Sequence, residues 1–290
     1  MKPYALLFVG VVAVSFAAIF IRLADAPPLV IATYRLAIAS AVLVPFALIR
    51  FKRTPSRKLA RGDMLLILLS SVFVALHFAL WITSLSYTSI ASAVILVTAH
   101  PVFIAIISYF IWGERLTKLM VLGIGAALVG TLFISWGGFA LSLDALLGNV
   151  LALLAAFAMG AYLLIGRQLR ERINILNYLA LIYTCAAVIL LMATVVSGCS
   201  LSGYSSTTYT MIVLLALVPQ LIGHSSLNLA LRFMPATFVS VAILGEPVGA
   251  TALGYFILGE VPTAVEILGG LLILGGIFMV LRQKPEGIKQ

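Results

Sequence analysis

PVFIAIISYFIWGERLTKLMVLGIGAALVG, residues 101–130, and PVGATALGYFILGEVPTAVEILGGLLILGG, residues 247–276, are one segment written twice, 146 residues apart. Pro101-Val102 falls on Pro247-Val248, Tyr109-Phe110-Ile111 on Tyr255-Phe256-Ile257, and Gly113-Glu114 on Gly259-Glu260. Thr117, Leu122, Gly123, Leu128 and Gly130 meet Thr263, Leu268, Gly269, Leu274 and Gly276, giving 12 identities in 30 positions. Apolar composition alone returns about three, so the chain is an internal duplication.

The medium of the duplicated unit follows from composition. The 290 residues are 63% hydrophobic and 9% charged, with mean hydropathy +1.21. A water-soluble domain is about a quarter charged, so this chain lacks the polar surface to stay in water. Ten apolar runs are expected to be spans: about 4–22, 28–49, 64–85, 88–111, 118–135, 147–166, 175–197, 209–231, 235–258 and 265–281. Most reach the roughly 18 residues that cross about 30 Å of hydrocarbon as a helix, and the alternating pattern of a membrane barrel is absent. Lys2, the first apolar stretch and Ala24-Asp25-Ala26 imitate a signal peptide. The stretch is longer than a signal core and completes the repeat, so it is expected to stay as the first helix.

Each half then holds five helices, and an odd number makes the second half enter from the opposite face. The expected fold is an all-α integral membrane protein with ten transmembrane helices as two inverted five-helix repeats, 1–137 and 147–283, and a cytoplasmic tail, 284–290. Charge placement agrees. With the N-terminus in the cytoplasm, 16 of the 18 Lys and Arg fall on that side, including Arg50, Lys52, Arg53, Arg57, Lys58 and Arg61, then Arg115, Lys118, Arg167, Arg170 and Arg172. Arg22 lies outside and Arg35 within helix 2. This positive-inside bias puts both termini in the cytoplasm of an inner (plasma) membrane protein. The net charge of +9 is therefore a topology signal; the expected partners are the lipid bilayer and a small-molecule substrate, not nucleic acid, in a monomer or homodimer. Cys185 in helix 7 and Cys199 in the next outer loop are expected to be free. Inverted repeats suit a transporter, because exchanging the conformations of two halves moves one central site from face to face.

Trp112-Gly113-Glu114-Arg115-Leu116-Thr117, Gly245-Glu246-Pro247-Val248-Gly249 and Leu258-Gly259-Glu260 resemble the ten-helix EamA-type members of the drug/metabolite transporter superfamily, and the resemblance spans essentially the whole chain. It implies export or exchange of amino acids and other small metabolites. Relatives include nucleotide-sugar and sugar-phosphate carriers. Ala13 and Met159 stand where members often carry tryptophan, so no aromatic lining is expected from those two positions.

Polar groups at membrane depth need a partner, a wet cavity or a job. His77, His100 and His224 all fall inside spans, in helices 3, 4 and 8. Glu246 lies near the centre of helix 9 between Gly245 and Pro247, where it either recognises a substrate amine, carries a proton, or is a neutral group bonded to backbone opened by the proline. His100-Pro101 is its repeat mate. Pro101 and Pro247 lack an N–H, which releases the carbonyls of Val97 and Ile243 and marks two kinks or hinges. Gln220, His224 and Asn228 recur every four residues on one face of helix 8, and His77 and Trp81 do so on helix 3. The expected substrate-lining set is Glu246, His100, His224, Asn228, Gln220, His77 and Trp81. Arg35 either binds an anionic group or snorkels outward, with snorkelling favoured. Gly123, Gly130, Gly269 and Gly276 are read as packing surface, Glu114 and Glu260 as border groups, and Trp112 and Trp136 as interfacial anchors.

No phosphate loop, nucleotide-binding segment or metal-ligand spacing occurs, so no cofactor, metal or catalytic residue is expected and the chain is not read as an enzyme. Export of small polar metabolites, amino acids first, by alternating access is the leading expectation. Efflux of lipophilic cations or drugs and exchange of phosphorylated or nucleotide-linked sugars are the alternatives within transport. A membrane-embedded enzyme, the alternative outside it, would need a catalytic cluster at one membrane face.

Overall fold

The computed structural model describes residues 3–53, 60–88, 93, 96–113, 116–134, 143–170, 172–259 and 261–283. Glu114, Arg115, Trp136, Glu260 and the 284–290 tail lie outside the described residues, as does the side chain of Trp112. Among the described residues there is no strand, and ten helices carry the fold: α1 Pro3–Leu23, α2 Pro28–Arg53, α3 Arg61–Ser84, α4 His100–Trp112, α5 Lys118–Ile134, α6 Leu143–Arg170, α7 Ile175–Val196, α8 Ser206–Ala230, α9 Ala236–Ile257 and α10 Ala264–Leu281. Eight are long and apolar enough to cross a membrane. The two short ones are α4 and α5, and α5 at 17 residues still rises about 26 Å. The run expected at 88–111 is interrupted by a turn at Thr98–Ala99: Ala93, Leu96 and Val97 before it are helical, and the helix restarts at His100.

Helix starts are written locally. Asn174 Oδ1 accepts from Leu176 N–H at 3.0 Å, and Ser205 Oγ from Thr208 N–H at 3.1 Å. Thr263 and Glu266 close a reciprocal box at the head of α10, with Thr263 N–H donating to Glu266 Oε2 at 2.6 Å. Each satisfies amide donors that a helix start leaves open.

The duplication has a structural counterpart. α4 ends on Gly113 at φ 67° and α9 runs out to Gly259 at φ 70°, repeat mates in the left-handed region that glycine adopts without steric cost. Gly113 N–H donates to Tyr109 O at 3.0 Å and Gly259 N–H to Tyr255 O at 3.1 Å, again between repeat mates. Both helices restart at matched places too, after Ala99 (φ −71°, ψ −2°) and after Gly245 (φ −72°, ψ −14°).

α5 and α10 are repeat mates that pack on each other through their matched glycines. A methyl at Gly123 would lie 2.7 Å from Gly276 O, and one at Gly130 would lie 2.5 Å from Gly269 O. Because 123 meets 276 while 130 meets 269, the two helices run antiparallel, as equivalent helices of an inverted repeat must. The other pairings include α1 with α8 and α3 with α6, α3 with α7 and α2 with α8, α1 with α9 and α4 with α6, and α2 with α7 and α4 with α9. Exchanging each helix for its counterpart five places along maps this set onto itself.

Three helices depart from regularity near the molecular centre. α1 breaks at Phe16, α9 breaks at Leu244–Gly245, and α8 carries a π-helical stretch, Ala216–His224, around Pro219. Pro219 cannot donate to the preceding turn, and the wider winding absorbs the missing bond. The breaks in α1 and α9 touch: the Ser15 hydroxyl donates to Val11 O at 2.8 Å and to Glu246 O at 3.3 Å. Gly249 gives Ser15 room, since a side chain there would occupy the hydroxyl's place.

Candidate functional site

These irregular segments converge on one cavity. Its lining comes from α1 (Val14, Ala17, Ala18), α2 (Arg35), α3 (His77, Trp81), the turn into α4 (Val97, Thr98, His100), α6 (Met159), α8 (His224, Leu227) and α9 (Ile243, Glu246, Pro247, Ala250). Both halves contribute. The space open to the centre of a water-sized sphere is about 50 Å³, room for roughly four waters. A second cavity of about 250 Å³ shares Ala18 and Trp81 with the first and runs past Arg22, Ala26 and Pro28. Ala18 and Trp81 thus stand between the central void and the α1–α2 turn.

The orientation of several polar side chains has a traceable cause. Pro101 frees the Val97 carbonyl, and His100 Nδ1 meets that oxygen at 3.1 Å. A carbonyl only accepts, so Nδ1 carries the proton in that contact. His77 Nδ1 donates likewise to Ala155 O at 3.0 Å, and its ring stacks on Trp81 at 6.2 Å between centroids. The Arg35 guanidinium lies 4.0 Å above the Phe78 ring, while its Nε–H donates to Gln220 Oε1 at 2.7 Å. Phe78 also meets the His224 ring edge to face at 5.3 Å. Arg35 Nη1 and Nη2, Trp81 Nε1, His100 Nε2 and His224 Nδ1 are buried without a hydrogen-bond partner in the protein. Arg35 and Glu246 line the same void, yet no ion pair joins them.

A duplicated helical unit around a polar central void narrows the class, and comparison with known proteins decides it. A family model described as the EamA-like transporter family matches twice, at residues 1–136 and 146–282. The chain belongs to the EamA-like transporter family. Among its relatives is an uncharacterized transporter, YdfC, of Bacillus subtilis, 27% identical over 273 residues, 93% of this chain and 87% of the relative. The pseudopaline exporter CntI of Pseudomonas aeruginosa is 29% identical over 235 residues, 78% of each chain. A probable terminal-alkyne amino-acid exporter of Streptantibioticus cattleyicolor is 26% identical over 194 residues, 66% of this chain and 64% of the relative. A solved crystal structure shares the fold at TM-score 0.80 and 18% identity, covering 96% of both chains.

Within this EamA chain, five of the seven expected lining residues meet at the void: Glu246, His100, His224, His77 and Trp81. Gln220 and Asn228 do not. The α8 stripe extends about 12 Å from Gln220 to Asn228, and the void takes one level of it, at His224. Gln220 is fully buried against Arg35, and Asn228 Nδ2 donates to His224 O at 2.7 Å. Pro247 lines the void and Pro101 sits one residue after it, both beside the helix restarts. The snorkelling expected of Arg35 is overturned: the side chain is 0% exposed and turned inward. Met159, one of the positions lacking the family's tryptophan, supplies a thioether to the wall instead. Cys185 and Cys199 are free.

Proposed function

We propose that the chain is a secondary transporter that exports small polar metabolites, amino acids first among them, across the inner (plasma) membrane by alternating access. The observation that carries this is the central void. It is built by both repeats, placed where helices break, and lined by one carboxylate, one guanidinium and three imidazoles. Uncharged lipid-like cargo would not require such groups, whose burial at membrane depth is costly. Exporters of pseudopaline and of an alkyne amino acid among the relatives support the same direction and class. The void is too tight for an amino acid as it stands, so cargo enters only when the halves move apart. In the proposed topology the two units are inverted repeats with both termini cytoplasmic, and the larger cavity beyond Trp81 leads outward. Arg35 in the same wall disfavours a lipophilic cation, which would face a buried positive charge. The test is counterflow in proteoliposomes against amino acids, amines and sugars. Exchange of at least one amino acid is expected, and exchange confined to hydrophobic cations would sink the proposal.

A further inference from the structure

We infer that Arg35 is the carboxylate anchor of the central void, and that the cargo carries a carboxylate and an ammonium together. This rests on the transport reading above and names the chemistry its site selects. A guanidinium has five N–H donors and no acceptor. In this chain one donor, Nε–H, is held by Gln220, and one face of the plane is covered by Phe78. What remains is the Nη1–Nη2 edge, fully buried and without a hydrogen-bond partner in the protein. A cation fixed on two sides and unpaired on its forked edge matches the two parallel bonds of a carboxylate, which reaches it once the wall gives way. A protein carboxylate does not take that place, because Glu246 lines the same wall without forming an ion pair to Arg35.

The remaining groups suit the other end of such a molecule. Glu246, on the α9 side of the same void, accepts hydrogen bonds. The wall therefore holds a donor edge and an acceptor side at one level, which a zwitterion satisfies at once. An amine lacking the carboxylate leaves the guanidinium edge unpaired, and such a buried unpaired group is heavily disfavoured.

The experiment measures binding to the purified full-length protein by calorimetry, using each of the twenty amino acids, its amide and its des-amino acid. For the tightest amino acid, the wild type is expected to prefer it over its amide by at least roughly ten-fold, the scale of one charge-assisted contact. Arg35→Gln brings that ratio close to one, while Glu246→Gln reduces preference for the amino acid over its des-amino acid. Arg35→Met, which keeps a stem over Phe78, makes the same comparison if the glutamine variant does not stay monodisperse. A wild-type ratio near one overturns the inference with no variant needed, as does an Arg35 variant that keeps the wild-type ratio. A wild type that binds no compound of the panel overturns the amino-acid reading itself, and the anchor with it.

Discussion

At the scale of single residues, rarity makes the site visible. Charged and imidazole side chains are so uncommon at membrane depth that Glu246, His77, His100 and His224 stand out along the chain, and all four reach the void. Direction is not readable in the same way. Arg35 near a helix end has an aliphatic stem that reaches either to the interface or inward, and only Phe78 and Gln220, distant in sequence, hold it inward. Glu246→Gln is expected to cut transport by roughly ten-fold or more, since it removes a charged contact worth about 1.5–3 kcal/mol. Thermal stability and monodispersity should stay near wild type, because the amide fills the same space. Normal transport by this variant, measured in proteoliposomes, would assign Glu246 to structure alone.

At the scale of the element, α8 shows how one helix face spans several levels of the molecule. Gln220, His224 and Asn228 all point into protein, as their spacing requires, yet they stand at three levels along the axis and only His224 meets the void. Cysteine reactivity resolves these levels once Cys185 and Cys199 are replaced. His224→Cys is expected to react with a water-soluble thiol reagent and to be protected by substrate. Gln220→Cys and Asn228→Cys should react several-fold more slowly, with no protection. Equal reaction at all three would mean that the cavity extends along the whole stripe. The α5–α10 pair is the opposite case: Gly123, Gly130, Gly269 and Gly276 are legible as a packing surface, because backbone contact this close admits nothing larger.

At the scale of the molecule, the duplication and the charge bias together imply an orientation. Reporter fusions should place residues 50–63, 167–172 and the C-terminus in the cytoplasm, and residues 198–208 outside. An external C-terminus opposite a cytoplasmic N-terminus would be incompatible with five helices per half. Three further features belong to this scale because they need all the helices at once: the break of α1 at Phe16 beside that of α9, the small volume of the void, and its continuation past Trp81.

The sequence by itself determined the medium, the helix count, the duplication and the polar residues that have to be accounted for. Each of these depends on composition, period or self-similarity, which are properties of the chain read along its length. Tertiary structure alone decided which polar residues share a level, that Arg35 turns inward with its forked edge free, and that Gln220 holds Arg35 instead of lining the void. These depend on distances between residues such as Arg35 and Gln220, which lie 185 positions apart. Helical periodicity carries no information about where along its axis one helix meets another.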